Sequence, residues 1–287
     1  GVLVSLALTL ALGGSRRRAP DGAAPATARP GGPIAVIPAA TEDHDAHWLA
    51  GIDRLRQLLA VRTNGVRQRV FVVCRSPDMA GPATVASALA EEYAWHGART
   101  LLVDGVLMAP SLADRYGVNG ANGGAGLSDG TASTVDWLQR PHDPHLVVRI
   151  GLSDDRSLDM VPQFRPTRPA PGMADELFSG LDAVLERWSA YDVVVIDAPP
   201  LEVVDDALHL AARATGVLVE AHGAPHDRRA ERRWSRLVRD TGAAWLGTVR
   251  IVTPDPSAAA TPSETAPPVH RVERTPTDVA AKRPRSR

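Results

Sequence analysis

The sequence predicts an α/β fold built on one doubly wound, mainly parallel sheet, and three observations carry that prediction. Short apolar, largely β-branched runs recur at residues 70–74, 100–104, 146–150, 191–197, 216–219 and 244–249. Helical patterns at 83–95, 175–188, 206–213 and 227–240 alternate with them, as crossover connections between parallel strands require. The run at 191–197 is apolar enough to be buried on both faces and stops at Asp197, just before Ala198, Pro199 and Pro200. Two prolines forbid continuation as a central strand or helix interior. Ligands of such sheets bind beyond the carboxyl ends of the strands, so Asp197 stands where a metal-nucleotide would lie.

Taken in order, residues 2–12 are an unbroken run of apolar and small residues, followed by Ser15, Arg16, Arg17 and Arg18. A full span needs about 20 apolar residues, so the run is too short to cross a bilayer alone. Positive charge after it, not before it, speaks against a signal peptide and fits the cytoplasmic end of a membrane helix. The expectation is a truncated membrane helix at 1–14, with everything downstream cytosolic. Proline, alanine and glycine make 15–32 a linker. One domain should occupy 33–252.

Within that domain, 33–38 reads as a short extended segment. In 47–61, Leu49, Ile52, Leu55 and Leu59 share a helical face with Arg54 and Arg56 near its edges. The run 70–74 holds Cys74, the only cysteine, which reads as a buried thiol and excludes an internal disulfide. The run 100–104 ends in Asp104. Glycine-rich 117–130 reads as a loop, because no helix opening with a basic or hydroxyl residue follows it. In 175–188, Leu177, Phe178, Leu181, Val184, Leu185 and Trp188 form one stripe that should pack on the sheet.

The helix 227–240 carries Arg228, Arg229, Arg232, Arg233, Arg236 and Arg239, with Glu231 and Asp240 nearby. It reads as a solvated face, a contact with an acidic membrane surface or a protomer interface, with DNA binding of the ParA type a weaker option on a chain of balanced charge. The tail 253–287 has almost no apolar periodicity, is expected to be disordered and contains no tyrosine.

Composition narrows the function. With 44% hydrophobic residues the core can be sizeable, while 32 basic against 33 acidic residues leave no overall field toward nucleic acid. Every basic residue except Lys282, in the tail, is arginine.

Three places belong together: the strand-loop-helix at 70–95, Asp104 and Asp197. A P-loop nucleotide machine puts G-x-x-x-x-G-K-[ST] at the first, an Asp near metal and attacking group at the second, and a metal-holding Asp at the third. Around them stand Ile37-Pro38, Asp53-Arg54-Leu55-Arg56, Leu-Leu-Val-Asp-Gly-Val-Leu-Met-Ala-Pro-Ser-Leu at 101–112, Gly-Leu-Ser-Asp at 126–129, Asp-Ala-Pro-Pro at 197–200 and Val-Val-Asp-Asp-Ala-Leu-His-Leu-Ala at 203–211. On these residues, over 33–251, the sequence resembles the cytoplasmic kinase domain of bacterial tyrosine kinases. These are capsule and exopolysaccharide chain-length regulators related to MinD- and ParA-type ATPases. The resemblance implies a P-loop NTPase-like fold.

The departures are chemical. Gly81 and Thr84 of the loop survive, but Pro82 stands where the family has its lysine, removing a cation and a backbone N–H together. Ala83 replaces the hydroxyl that would hold magnesium, and Asp78 adds negative charge. The family pattern D-x-D-x-R reads Asp104-Gly105-Val106-Leu107-Met108, Ile251 replaces a polar residue near the base, and the tyrosine-rich tail is absent. Losing one preorganised donor costs about 10²–10³ in rate, so these losses together remove useful phosphoryl transfer. Pro82 suits the first turn of a helix without any ligand.

The resemblance then implies a degenerate domain without a bound cofactor, in which Gly81, Thr84, Asp104 and Asp197 mark a vestigial nucleotide site. Asp104 and Asp197 would hold a metal only if magnesium is bound. The expected role is a regulatory or scaffold subunit of polysaccharide assembly and export at the cytoplasmic face of the cell membrane. Its partners would be further copies of itself or export and polymerase proteins, with no nucleic acid. One alternative is an active ATP- and magnesium-dependent tyrosine autokinase with an unorthodox P-loop, using Thr84, Asp104 and Asp197, with Arg75 or a neighbouring protomer's arginine as its cation. Another is a MinD- or ParA-like positioning ATPase, against which the apolar run and the segment before the first core strand speak.

Overall fold

The computed structural model describes residues 32–39, 45–64, 66, 68–77, 85–106, 112–118, 147–163, 188–202, 205–222 and 227–252. The expected membrane helix at 1–14, residues 15–31 of the linker, the loop residues 78–84, most of the stretches 117–130 and 175–188, and the tail lie outside them. Among the described residues no helix is long and apolar enough to cross a membrane.

Among the described residues eight strands form one sheet: β1 (Ala35–Pro38), β2 (Arg69–Arg75), β3 (Thr100–Asp104), β4 (Val148–Gly151), β5 (Ser157–Val161), β6 (Val193–Ala198), β7 (Gly216–His222) and β8 (Ala244–Val252). Their spatial order is β1-β8-β7-β2-β6-β3-β5-β4. All neighbours are parallel except β4 and β5. The helices are α1 (Ala46–Arg62), α2 (Val85–Trp95), the single turn α3 (Leu112–Arg115), α4 (Asp205–Ala211) and α5 (Arg228–Asp240).

Period-two alternation splits the buried strand residues between two cores. Phe71, Val73, Leu102, Val193, Val195 and Leu218 pack with α1 and α2. Val72, Cys74, Leu101, Val194, Ile196 and Val217 pack with α4, α5 and Trp188, the one described residue of the expected apolar stripe. Helices therefore cover both faces, as near-continuous apolar strands demand.

Two expectations need correction. The run at 146–150 does hold a strand, β4, the antiparallel edge of the mainly parallel sheet, but its partner β5 was not expected at all. Leu158, Met160 and Val161 are buried on β5 while Ser157 is exposed and Asp159 intermediate, so short polar-apolar alternation hid a strand that pairs with β3. On α1 the face is rotated, with Trp48, Ile52, Leu55 and Leu59 buried and Leu49 exposed. The cause is Gly51, where a Cβ would stand 2.6 Å from the Ile37 side chain. Bare backbone lets α1 approach β1 along the Trp48, Gly51 and Ile52 line.

Candidate functional site

The site grows out of the same alternation. Arg75 follows Phe71 and Val73 on β2, Asp104 follows Leu102 on β3, Asp197 follows Val193 and Val195 on β6, and Glu220 follows Leu218 on β7. All four side chains thus leave the sheet on its α1 and α2 face, at the carboxyl ends of four adjacent strands. Asp104 and Asp197 are register partners across β3 and β6, as Arg75 and Glu220 are across β2 and β7. Gly105 fixes the separation, because its N–H donates to the Asp197 carbonyl at 2.8 Å and a Cβ there would meet that oxygen at 2.6 Å.

The carboxylates are fully buried and Arg75 nearly so. The Arg75 guanidinium donates through Nη2 to Asp197 Oδ2 at 3.0 Å. Asp197 Oδ1 is buried with no hydrogen-bond partner. Burial, opposed by Arg75 and reinforced by Asp104 and Glu220, pushes the Asp197 carboxyl up to about 8. Asp104 turns instead to backbone: Oδ1 accepts from Val106 N at 3.2 Å and Oδ2 from Leu112 N, the first residue of α3, at 3.3 Å. Glu220 Oε2 accepts from Val85 N, the first described residue of α2, at 3.1 Å, and its Oε1 lies 3.0 Å from His222 Nε2. A carboxylate at the start of a helix meets the positive end of its dipole.

Asp104 and Asp197 are therefore brought together, as their strand-end positions implied, whereas Gly81 and Thr84 lie outside the described residues. Sequence reasoning passed over Glu220. Its signal was the one that identified Asp197, an apolar run, Gly-Val-Leu-Val at 216–219, ending in a carboxylate. Cys74 is buried as expected, and burial, with Asp197 nearby, pushes its thiol well up.

No family model matches the chain, and no curated protein does either. Solved structures do match. The chimerical protein CapA2B2 aligns over 78% of this chain and 95% of its own, at 20% identity and a TM-score of 0.60. The kinase domain of the Escherichia coli tyrosine kinase ETK aligns over 81% and 93%, at 17% identity and 0.59. The BceF tyrosine kinase domain aligns over 76% and 83%, at 19% identity and 0.54. The chain has the fold of bacterial tyrosine kinase domains, a P-loop NTPase-like α/β sheet, as the sequence resemblance implied.

Proposed function

We propose that this chain is a catalytically degenerate relative of the tyrosine kinase domains whose fold it shares. It acts as a regulatory or scaffold subunit of exopolysaccharide or capsule assembly and export, held at the cytoplasmic face of the cell membrane. The observation that supports this reading is the buried contact between Arg75 and Asp197. Magnesium asks for carboxylate oxygens open to a hard cation in octahedral geometry. Asp197 offers one oxygen to a guanidinium, and both oxygens of Asp104 accept backbone N–H groups. An arginine already supplies positive charge at the strand end. Asp197 Oδ1 has no hydrogen-bond partner, but a magnesium-nucleotide would have to displace the contacts at the other three oxygens to gain a fuller carboxylate set. The losses at Pro82 and Ala83 point the same way.

The test is calorimetry of the full chain with ATP and magnesium beside an Asp197→Asn control, followed by a phosphotyrosine assay. No binding up to millimolar nucleotide by folded protein is expected. Saturable binding that the control loses, with phosphotyrosine formed, overturns the reading in favour of an active kinase. The observation favouring that second reading is the register pairing of Asp104 with Asp197 at the ligand-binding end of the sheet. It requires Arg75 to leave Asp197 for a phosphate.

A further inference from the structure

Helix α5 carries six exposed arginines, Arg228, Arg229, Arg232, Arg233, Arg236 and Arg239. At about 100° per residue they fall within an arc of about 140°, along about 17 Å of helix. The opposite arc, Ala230, Glu231, Trp234, Ser235 and Val238, is buried, with Ala230, Trp234 and Val238 in the core around Trp245. Glu231, read from sequence as a neighbour of the basic face, is turned away from it. Arg233 pairs with Glu202, and Arg239 lies on Ser235. Arg228, Arg229, Arg232 and Arg236 have no carboxylate partner among the described residues. The whole chain has a net charge of −1, so this is a local field on a balanced protein.

We infer that this arginine face docks on an anionic phospholipid surface. A fluid array of headgroup phosphates reads positive charge and lets each arginine find its own phosphate without shape complementarity. A protein partner would want an aromatic or aliphatic anchor at its centre, and among the described residues no large apolar side chain is exposed on this face. Duplex DNA would want a helix that stands proud enough to enter a groove. This helix lies packed against the sheet through Ala230, Trp234 and Val238. The inference shares only the membrane location with the reading above and stands whether or not the nucleotide site is active.

The experiment is co-sedimentation of the full chain with phosphatidylcholine vesicles, with and without phosphatidylglycerol, at low and raised salt. Binding should require phosphatidylglycerol and fade with salt, since exposed charges are screened. Replacing Arg228, Arg229, Arg232 and Arg236 by glutamine should weaken it about 10²-fold or more, at roughly fivefold per arginine. Lysine at the same four positions should keep it within about tenfold, because a headgroup array reads charge. Salt-resistant binding unchanged in the glutamine variant would place attachment in the apolar run at 2–12 and overturn the inference. Equal loss with lysine and glutamine, or duplex DNA bound through these arginines while the anionic vesicles are not, would overturn it as well. Nucleotide calorimetry is indifferent to all of these outcomes, so failure here and failure of the degenerate-kinase reading are separable.

Discussion

Arg75→Met tests whether the buried contact with Asp197 organises the site. Methionine keeps an apolar stem and removes the cation. At 3.0 Å, with side chains 10% and 1% exposed, the contact is largely desolvated. An effective dielectric near 20 gives a gross attraction of about 5 kcal/mol between full charges, from which the cost of burying both must be subtracted. Protonation sets what remains. With the Asp197 carboxyl at about 8, the group is mostly neutral near pH 6, and of this contact the variant there loses a hydrogen bond from a charged donor, itself worth roughly 1.5–3 kcal/mol. Above pH 8 the wild type ionises Asp197 against Arg75, while the variant holds its proton longer. Each pH unit through which it does so adds about 1.4 kcal/mol, so the loss near pH 9 should approach the roughly 3–5 kcal/mol of a broken buried pair. Guanidinium unfolding followed by tryptophan fluorescence reads this, since Trp188 and Trp245 are buried. A loss that is the same at both pH values, or that shrinks as pH rises, refutes the reasoning.

The wild type carries the complementary signature. A folded value near 8 against an unfolded model value of 3.8 means that the folded state binds the extra proton between them. The contribution of Asp197 is thus fully present below about pH 4 and lost as pH rises through about 8. Comparing wild type with Asp197→Asn across that window should show this fall in the wild type alone; parallel profiles would contradict it. Gly105→Ala should destabilise by roughly 1–3 kcal/mol, because the new Cβ meets the Asp197 backbone carbonyl first and crowds the Ile196 and Leu210 side chains as well, and an unchanged denaturation midpoint would refute this. The Cys74 thiol should resist a thiol reagent in the folded protein and react at the rate of unfolding, and prompt labelling of native protein would contradict its burial.

Much of this architecture was legible in the chain because parallel strands buried on both faces leave an unbroken apolar trace. β2, β3, β6, β7 and β8 all announce themselves that way. β5 did not, since Ser157 and Asp159 interrupt it and its burial depends on pairing with β3, a long-range fact that no local window contains. The rotation of α1 was hidden for a similar reason: periodicity offers both Trp48 and Leu49, and only the close approach at Gly51 selects between them. At the site, Asp104 and Asp197 could be placed from strand ends alone. That Arg75 turns toward Asp197, two residues past Val73 on the same face, follows from strand order, which composition does not encode.

The four charged side chains connect the fold to the proposed degenerate function. A P-loop sheet ordinarily borrows charge from its ligand, cation from the metal and anion from the phosphates. Here internal groups stand in comparable places: a guanidinium on the β6 carboxylate, a β7 carboxylate at the start of α2, and backbone N–H groups on the β3 carboxylate. Buried polar groups must be satisfied or they destabilise the fold, so a chain that dispensed with nucleotide would need such substitutes to keep these carboxylates buried. Removing Arg75 and Asp197 together should then cost less than the sum of the single changes when both are read by guanidinium unfolding, because their mutual contact is lost only once.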